Sequence, residues 1–422
     1  MCQTDLKDST VNHVWLFEPA TSNNNTGSLT DEGVECIAAH KYKPGHYTFL
    51  DNFFNPFWTA LTELLPMTLA PNMVTTLGAM HCGLAYAVLW YYAPHYDTVL
   101  PDWVVFLSGY CTVAYYTFDC MDGKQARRTG QSSPLGQLFD HGFDCLSNLA
   151  HISTNGGYLM VGGTGWFVLM QGSLFFAFFM AQWEEYYTLE LPHAMGNFGV
   201  TEVNYGLGVF AMMNAFIDRE KFWSSLMKDI IPSTVVEMGV VPDLVLDLEL
   251  KFFGLSCWFG VELILIMGSL HRVLTHDNVV RHGTHLSAVS KLLTPILITV
   301  APFWLPRYIM ENETRYISVC TGLLFSFLTK KMICFSMAKQ SYASIQIEAI
   351  PCWAVFLWIR YDENVTEQGA TVLLGALCFW YAYRLVDWAR VAIDQICKRL
   401  DIHCFTIKKK EVKDVNAWKK VN

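Results

Sequence analysis

From about residue 73 onward the chain alternates apolar stretches with short polar loops, and several stretches approach the roughly 20 residues a helix needs to cross a bilayer. Allowing for tilt, the pattern places spans near Met73–Ala93, Trp103–Phe118 with an extension beyond it, Phe143–Val161, Trp166–Ala181 and Val203–Ile217. Further spans fall near Phe252–His271, His285–Leu305, Tyr316–Met337, Ile345–Ile359 and Thr371–Trp388. The expectation is an all-α, polytopic membrane protein with about ten transmembrane helices. Residues 1–40 are polar and rich in Ser, Thr and Asn, and read as a flexible cytosolic N-terminus. Residues 41–72 mix aromatics and leucines with Lys, His, Asp and Glu, as in an amphipathic interfacial segment anchored by Trp58 and the Phe residues. An ordinary packed surface helix has the same pattern. Residues 73–200 hold the polar motif described below, 201–395 the remaining helices, and 396–422 a basic tail.

Composition supports the membrane reading. With 52% hydrophobic and only 16% charged residues, the chain is too apolar for a soluble enzyme of ordinary make-up. A net charge of −9 and the lack of a basic, aromatic-laced stripe argue against nucleic acid as a partner. The 13 cysteines are scattered singly without CxxC spacing, so they read as small buried hydrophobes. The polar start of the chain does not look like a cleaved signal peptide.

The chemistry concentrates between Asp119 and Asp144, in DCMDGKQARRTGQSSPLGQLFDHGFD. Asp119 and Asp122 are spaced i, i+3, and Asp140 and Asp144 i, i+4, so on helices each pair shares one face. Between them Gly130 can end one helix, Ser133 can cap the next, and Pro134 suits its first position. Two helices folded about that turn would aim four carboxylates into one space. At membrane depth each aspartate costs roughly 2.5–3.5 kcal/mol, so a merely solvated acidic face is a poor explanation. Gly123, Ala126 and Gly136 leave room on the same faces. Oxygen-only ligands suit Mg²⁺ or Mn²⁺, this many carboxylates can hold a pair of them, and Arg127 can fork onto phosphate. A transporter that coordinates a cation would account for the acids but not for Arg127 and the glycines beside them.

The eight residues Asp119, Asp122, Gly123, Ala126, Arg127, Gly136, Asp140 and Asp144 fill the pattern D-x2-D-G-x2-A-R-x8-G-x3-D-x3-D. In this the chain resembles the CDP-alcohol phosphotransferase family, and SSPLGQLFDHGFD resembles its eukaryotic choline/ethanolamine phosphotransferase branch. Gln137 departs from that branch, which usually has Glu there. The resemblance implies transfer of phosphocholine or phosphoethanolamine from CDP-choline or CDP-ethanolamine to diacylglycerol, with Asp119, Asp122, Asp140 and Asp144 on the metals. Another CDP-alcohol transfer with a different acceptor is the alternative. It further implies room for the nucleotide at Gly123 and Ala126, a phosphate contact from Arg127, a membrane-lipid environment and a homodimer. Two residues compete for the general base: Asp144 by the family-wide pattern, and His141, whose ring titrates near neutrality. Gln137, one turn before His141, would orient it without charge. Asn72, in a stretch resembling the family's APN-x-[IV]-T motif, is a nucleotide contact or a helix cap. Glu184 and Glu185, in WEEYYTLELP, are candidates for the donor's amine with Trp183, Tyr186 and Tyr187 as aromatic walls, although an interfacial aromatic belt reads the same way. Glu262 stands alone as an acid inside an apolar span.

Basic residues give the sidedness. With the motif turn in the cytosol, Lys41, Lys43, Arg272, Arg281, Lys330, Lys331 and the tail share that side, as the positive-inside rule requires. Lys419-Lys420 resembles a dilysine retrieval signal. This points to the endoplasmic reticulum membrane, with the Golgi as the alternative, and to an active site facing the cytosol.

Overall fold

A computed structural model describes residues 16–17, 29–40, 47–192, 194–195 and 198–408. Of the N-terminal polar run, residues 1–15 and 18–28 lie outside these residues, as do Lys41, Lys43 and the tail with Lys419-Lys420, whereas Asp31–Ala39, expected to be flexible, forms a helix that buries Val34 and Ile37. Among the described residues the only sheet is a two-residue hairpin, Ala194–Met195 against Phe198–Gly199; the rest is helix and connection. The first seven helices are α1 (Asp31–Ala39), α2 (Phe49–Leu64), α3 (Pro71–Tyr92), α4 (Asp102–Arg128), α5 (Pro134–Leu159), α6 (Gly165–Thr188) and α7 (Val200–Asn214).

Among the described residues six segments are long and apolar enough to cross a membrane by length and composition: α3, α6, Leu250–Thr275, His285–Trp304, Thr314–Ala338 and Glu367–Leu400. With 27 and 26 residues, α4 and α5 are also long enough at about 1.5 Å per residue, but they carry the charged motif. The 15-residue α7 and the 12-residue helix Ile350–Tyr361 fall short of the ~30 Å hydrocarbon thickness. The span expected at Ile345–Ile359 is thus curtailed. Residues 341–346 are held in non-helical backbone, with Thr294 Oγ1 donating to Ser344 O at 2.8 Å and accepting from Gln346 N at 3.1 Å. Pro351 then stands in the first turn of the helix. Between α7 and Leu250, four short helices replace the expected loop.

Thr314–Ala338 is the central post, buried along most of its length. It packs on α1, α5, α6 and Glu367–Leu400. A second group forms where α4 lies against α3, α5 and α7. The crossing of α4 and α7 is close because both contribute glycine: a Cβ on Gly109 would stand 2.5 Å from Gly208 O. Arg315 joins the two groups. Its guanidinium donates to Ala93 O at 2.5 Å, Pro94 O at 3.2 Å and Ser153 Oγ at 2.8 Å, and stacks 3.7 Å from the Tyr96 ring centroid.

Glu367–Leu400 has 34 residues, or about 51 Å, so its last turns outrun the bilayer. There they meet α1. Arg399 pairs with Glu35 through both carboxylate oxygens, and Gln395 donates to Leu29 O at 3.1 Å. α2 buries Trp58 and Thr62 and leaves Phe49, Phe53, Phe57 and Leu64 exposed.

Candidate active site

The motif folds as its local chemistry dictates. α4 ends at Arg128, Gly130 takes φ +67° in the left-handed region, and Ser133 Oγ accepts from Gly136 N at 3.4 Å as the cap of α5. Pro134 opens α5, where its missing N–H costs nothing. α4 and α5 then run back side by side against α3.

Asp119 from α4 and Asp140 and Asp144 from α5 each place a carboxylate oxygen within 4.8 Å of the others. Asp119 Oδ1 and Asp140 Oδ1 are buried and make no hydrogen bond. Buried polar atoms are normally satisfied, so orphaned oxygens facing one another fit a hard divalent cation. The donor set is all oxygen, as Mg²⁺ or Mn²⁺ prefers. Asp122 is not part of this trio. It is buried against α3, where the Thr75 hydroxyl donates to Oδ2, yet it feels the charges of Asp144 and His141. Asp144 accepts from the Tyr115 hydroxyl at 2.6 Å, and its other oxygen lies 3.5 Å from His141 Nδ1.

Three motif cations take different roles. Lys124 donates to Asn55 Oδ1. The Arg128 guanidinium holds the end of α2 through Thr62 O at 2.9 Å and Leu65 O at 2.7 Å. Arg127 is exposed and has no hydrogen-bond or ion-pair partner among the described residues, and Nη1 lies 3.5 Å from where a Cβ on Gly123 would stand. A Cβ on Gly136 would meet nothing within 4 Å, so open space borders the motif there. Ala126 is partly buried beside it.

The remaining expected residues are placed as follows. Asn72 does not cap α3, whose cap position is Ala70. Its amide donates to Cys404 O at 3.0 Å, tying the start of α3 to the segment after the last helix. Gln137 Oε1 accepts from His40 Nε2 at 3.1 Å, while its own Nε2 is buried without a hydrogen bond. Burial holds the His40 imidazole below its ordinary pKa, with the Gln137 contact opposing. Glu184 is committed elsewhere: Arg272 grips both its oxygens at 2.6 and 2.8 Å. The charge of its neighbour Glu185 acts on His141. Trp183 and Tyr186 are fixed in the core, donating to Ala288 O at 3.0 Å and Gln340 O at 2.8 Å, so they are not walls of an open pocket. Glu262 is buried with Oε2 unpartnered, away from the motif helices on Leu250–Thr275. Sequence reasoning missed Tyr115 and His40. Tyr115 stands one turn before Asp119 on the same face of α4, a signal that could have found it. His40 has no such local signal.

Fold and site together define a multi-span α-helical membrane protein whose acidic trio can hold a metal ion. Residues 68–230 match the model of the CDP-alcohol phosphatidyltransferase family. The chain is 30% identical to choline/ethanolaminephosphotransferase 2 of Arabidopsis thaliana over 404 residues, 91% of this chain and 100% of that protein. It is 26% identical to ethanolaminephosphotransferase 1 of Mus musculus, covering 87% and 92% of the two chains. With cholinephosphotransferase 1 of Xenopus laevis the identity is 27%, over 94% and 92%. The chain belongs to the CDP-alcohol phosphatidyltransferase family and is a transferase of phospholipid biosynthesis.

Proposed function

We propose that this enzyme transfers phosphoethanolamine or phosphocholine from CDP-ethanolamine or CDP-choline to diacylglycerol, yielding phosphatidylethanolamine or phosphatidylcholine and CMP. The observation that carries this reading is the trio of Asp119, Asp140 and Asp144, with its orphaned oxygens, directly beside His141. The relatives' names supply the head groups.

The trio, with Asp122 behind it, would hold Mg²⁺ or Mn²⁺, two ions by the number of carboxylates; bound there, divalent cations neutralise charge on the diphosphate and on departing CMP. The acceptor hydroxyl oxygen bonds to the phosphorus distal to cytidine, the bond from that phosphorus to the CMP oxygen breaks, and the hydroxyl proton passes to a base. His141 fits that role better than Asp144. Asp144 already accepts from Tyr115 and belongs to the trio, whereas its second oxygen beside Nδ1 orients the ring. Arg127 meets a phosphate of the nucleotide half, and Gly123, Ala126 and Gly136 let the donor approach. Gln137 positions the His141 side of the site through its contact with His40. Glu185, rather than Glu184, faces the donor's amine, because Arg272 neutralises Glu184. Asn72 acts by holding Cys404 at the rim. The enzyme works as a homodimer in the endoplasmic reticulum membrane, with this site opening to the cytosol.

The test is to supply membranes containing the protein with radiolabelled CDP-choline and CDP-ethanolamine separately, with diacylglycerol and Mg²⁺ or Mn²⁺. Labelled phospholipid from either donor supports the reading, and the ratio gives the head group. No product from either, with an active control prepared alongside, refutes it.

A further inference from the structure

Adjacent lysines on Thr314–Ala338 have opposite surroundings. Lys331 is buried and satisfied, donating to Gln346 Oε1 at 3.0 Å and Glu348 Oε1 at 2.9 Å. Lys330 has no hydrogen bond and no ion pair among the described residues. Its stem instead crosses to α5, where its Cε would lie 3.5 Å from a Cβ on Gly142. Gly142 adjoins His141, and the Lys330 charge acts on Cys145, one turn beyond His141. Lys330 stands about two turns before the end of its helix and Gly142 about two turns after the start of α5, so both lie within the helices rather than in the loops at their ends. An ammonium group at that depth is costly without an anion. No described residue pairs with it, although Asp140 and Asp144 stand two residues to either side of Gly142 on the neighbouring helix.

We propose that Lys330 is a phosphate-binding residue, the counter-charge for the phosphate that is transferred. This rests on the reaction proposed above. Arg127, at the outer end of α4, and Lys330, deeper and past His141, are two uncommitted cations at two depths. They match the two phosphates of a CDP-alcohol: Arg127 takes the one that leaves with cytidine, and Lys330 the one that receives the acceptor oxygen. Lys330 then keeps its contact in the phosphodiester product, whose anionic oxygens survive the exchange.

The experiment uses the full-length protein in phosphatidylcholine nanodiscs with Mn²⁺, comparing wild type with Lys330→Met and Lys330→Arg. Equilibrium affinities are measured for CDP-choline, CDP-ethanolamine and CMP, which lacks the transferred phosphate. Lys330→Met is expected to weaken the bound CDP-alcohol about tenfold or more while leaving CMP within about twofold, since one charge-assisted contact is lost. Lys330→Arg restores most of the difference. Lys330→Met also melts at or above the wild-type temperature, because an unpaired charge has left an apolar layer. Equal loss for CDP-alcohol and CMP, or no loss for either, overturns the assignment; the latter includes a bilayer phosphate being what Lys330 meets. Should the Met variant not purify, Lys330→Gln reads the same affinity ratio. Wild-type protein that binds CMP but neither CDP-alcohol refutes the proposed reaction instead.

Discussion

The acidic trio gives a counterintuitive expectation for Asp140→Asn: the variant loses activity yet melts higher than wild type in a chelator. Asp119, Asp140 and Asp144 oxygens lie within 4.8 Å of one another. Two full charges 4.8 Å apart repel by about 3.5 kcal/mol at an effective dielectric constant of ~20. Neutralising Asp140 removes two of the three repulsive pairs, or about 7 kcal/mol for a fully ionised trio at that outer separation. Screening by the surroundings and relaxation of the side chains reduce that figure, so a gain of about 1–3 kcal/mol is expected. The amide also keeps the shape of the carboxylate, so no cavity offsets it. In detergent with EDTA the Asn variant should therefore melt a few degrees higher. Adding Mn²⁺ closes or reverses the gap: at about 100 times its dissociation constant a bound ion stabilises wild type by ~2.7 kcal/mol, and the variant by far less. Differential scanning fluorimetry across a Mn²⁺ and Mg²⁺ titration reads both effects. A variant that melts below wild type in EDTA, or equal metal stabilisation of both proteins, would refute the trio as a cation site held under charge repulsion.

Other outcomes follow from individual contacts. His141→Ala should lower turnover by at least ~100-fold with donor affinity retained, as loss of a general base does; near-normal turnover would return that role to Asp144. Arg315→Leu strips donors from Ala93 O, Pro94 O and Ser153 Oγ, and should cost about 2–4 kcal/mol of stability in a thermal melt without changing donor affinity. Gly109→Val drives a side chain into the α7 backbone, where a Cβ already lies 2.5 Å from Gly208 O. It should destabilise by at least ~1–3 kcal/mol and reduce turnover, because α4 carries Asp119; unchanged melting would show that the two helices can part freely.

Local signals settled the motif. The i, i+3 and i, i+4 spacings, Gly130, Ser133 and Pro134 act within one or two turns, so the helix–turn–helix from Asp102 to Leu159 could be read from the chain. Apolar runs likewise marked the long spans, because exclusion of water from a bilayer acts on each helix separately. Composition could not say that Ser344 and Gln346 would be held by Thr294, keeping residues 341–346 out of a helix.

Which carboxylates meet was decided by packing. Spacing put all four aspartates on inward faces, but the register of α3 against α4 hands Asp122 to Thr75 and leaves three together. Glu184 and Glu185 are equivalent in sequence; only the position of Leu250–Thr275, which carries Arg272, commits the first and leaves the second to act by its charge on His141. His40 reaching Gln137 and Lys330 passing Gly142 join residues 97 and 188 positions apart. A side chain's period fixes the direction it leaves its own helix; what stands opposite depends on the rotation and depth of another helix, and those are set by the whole bundle.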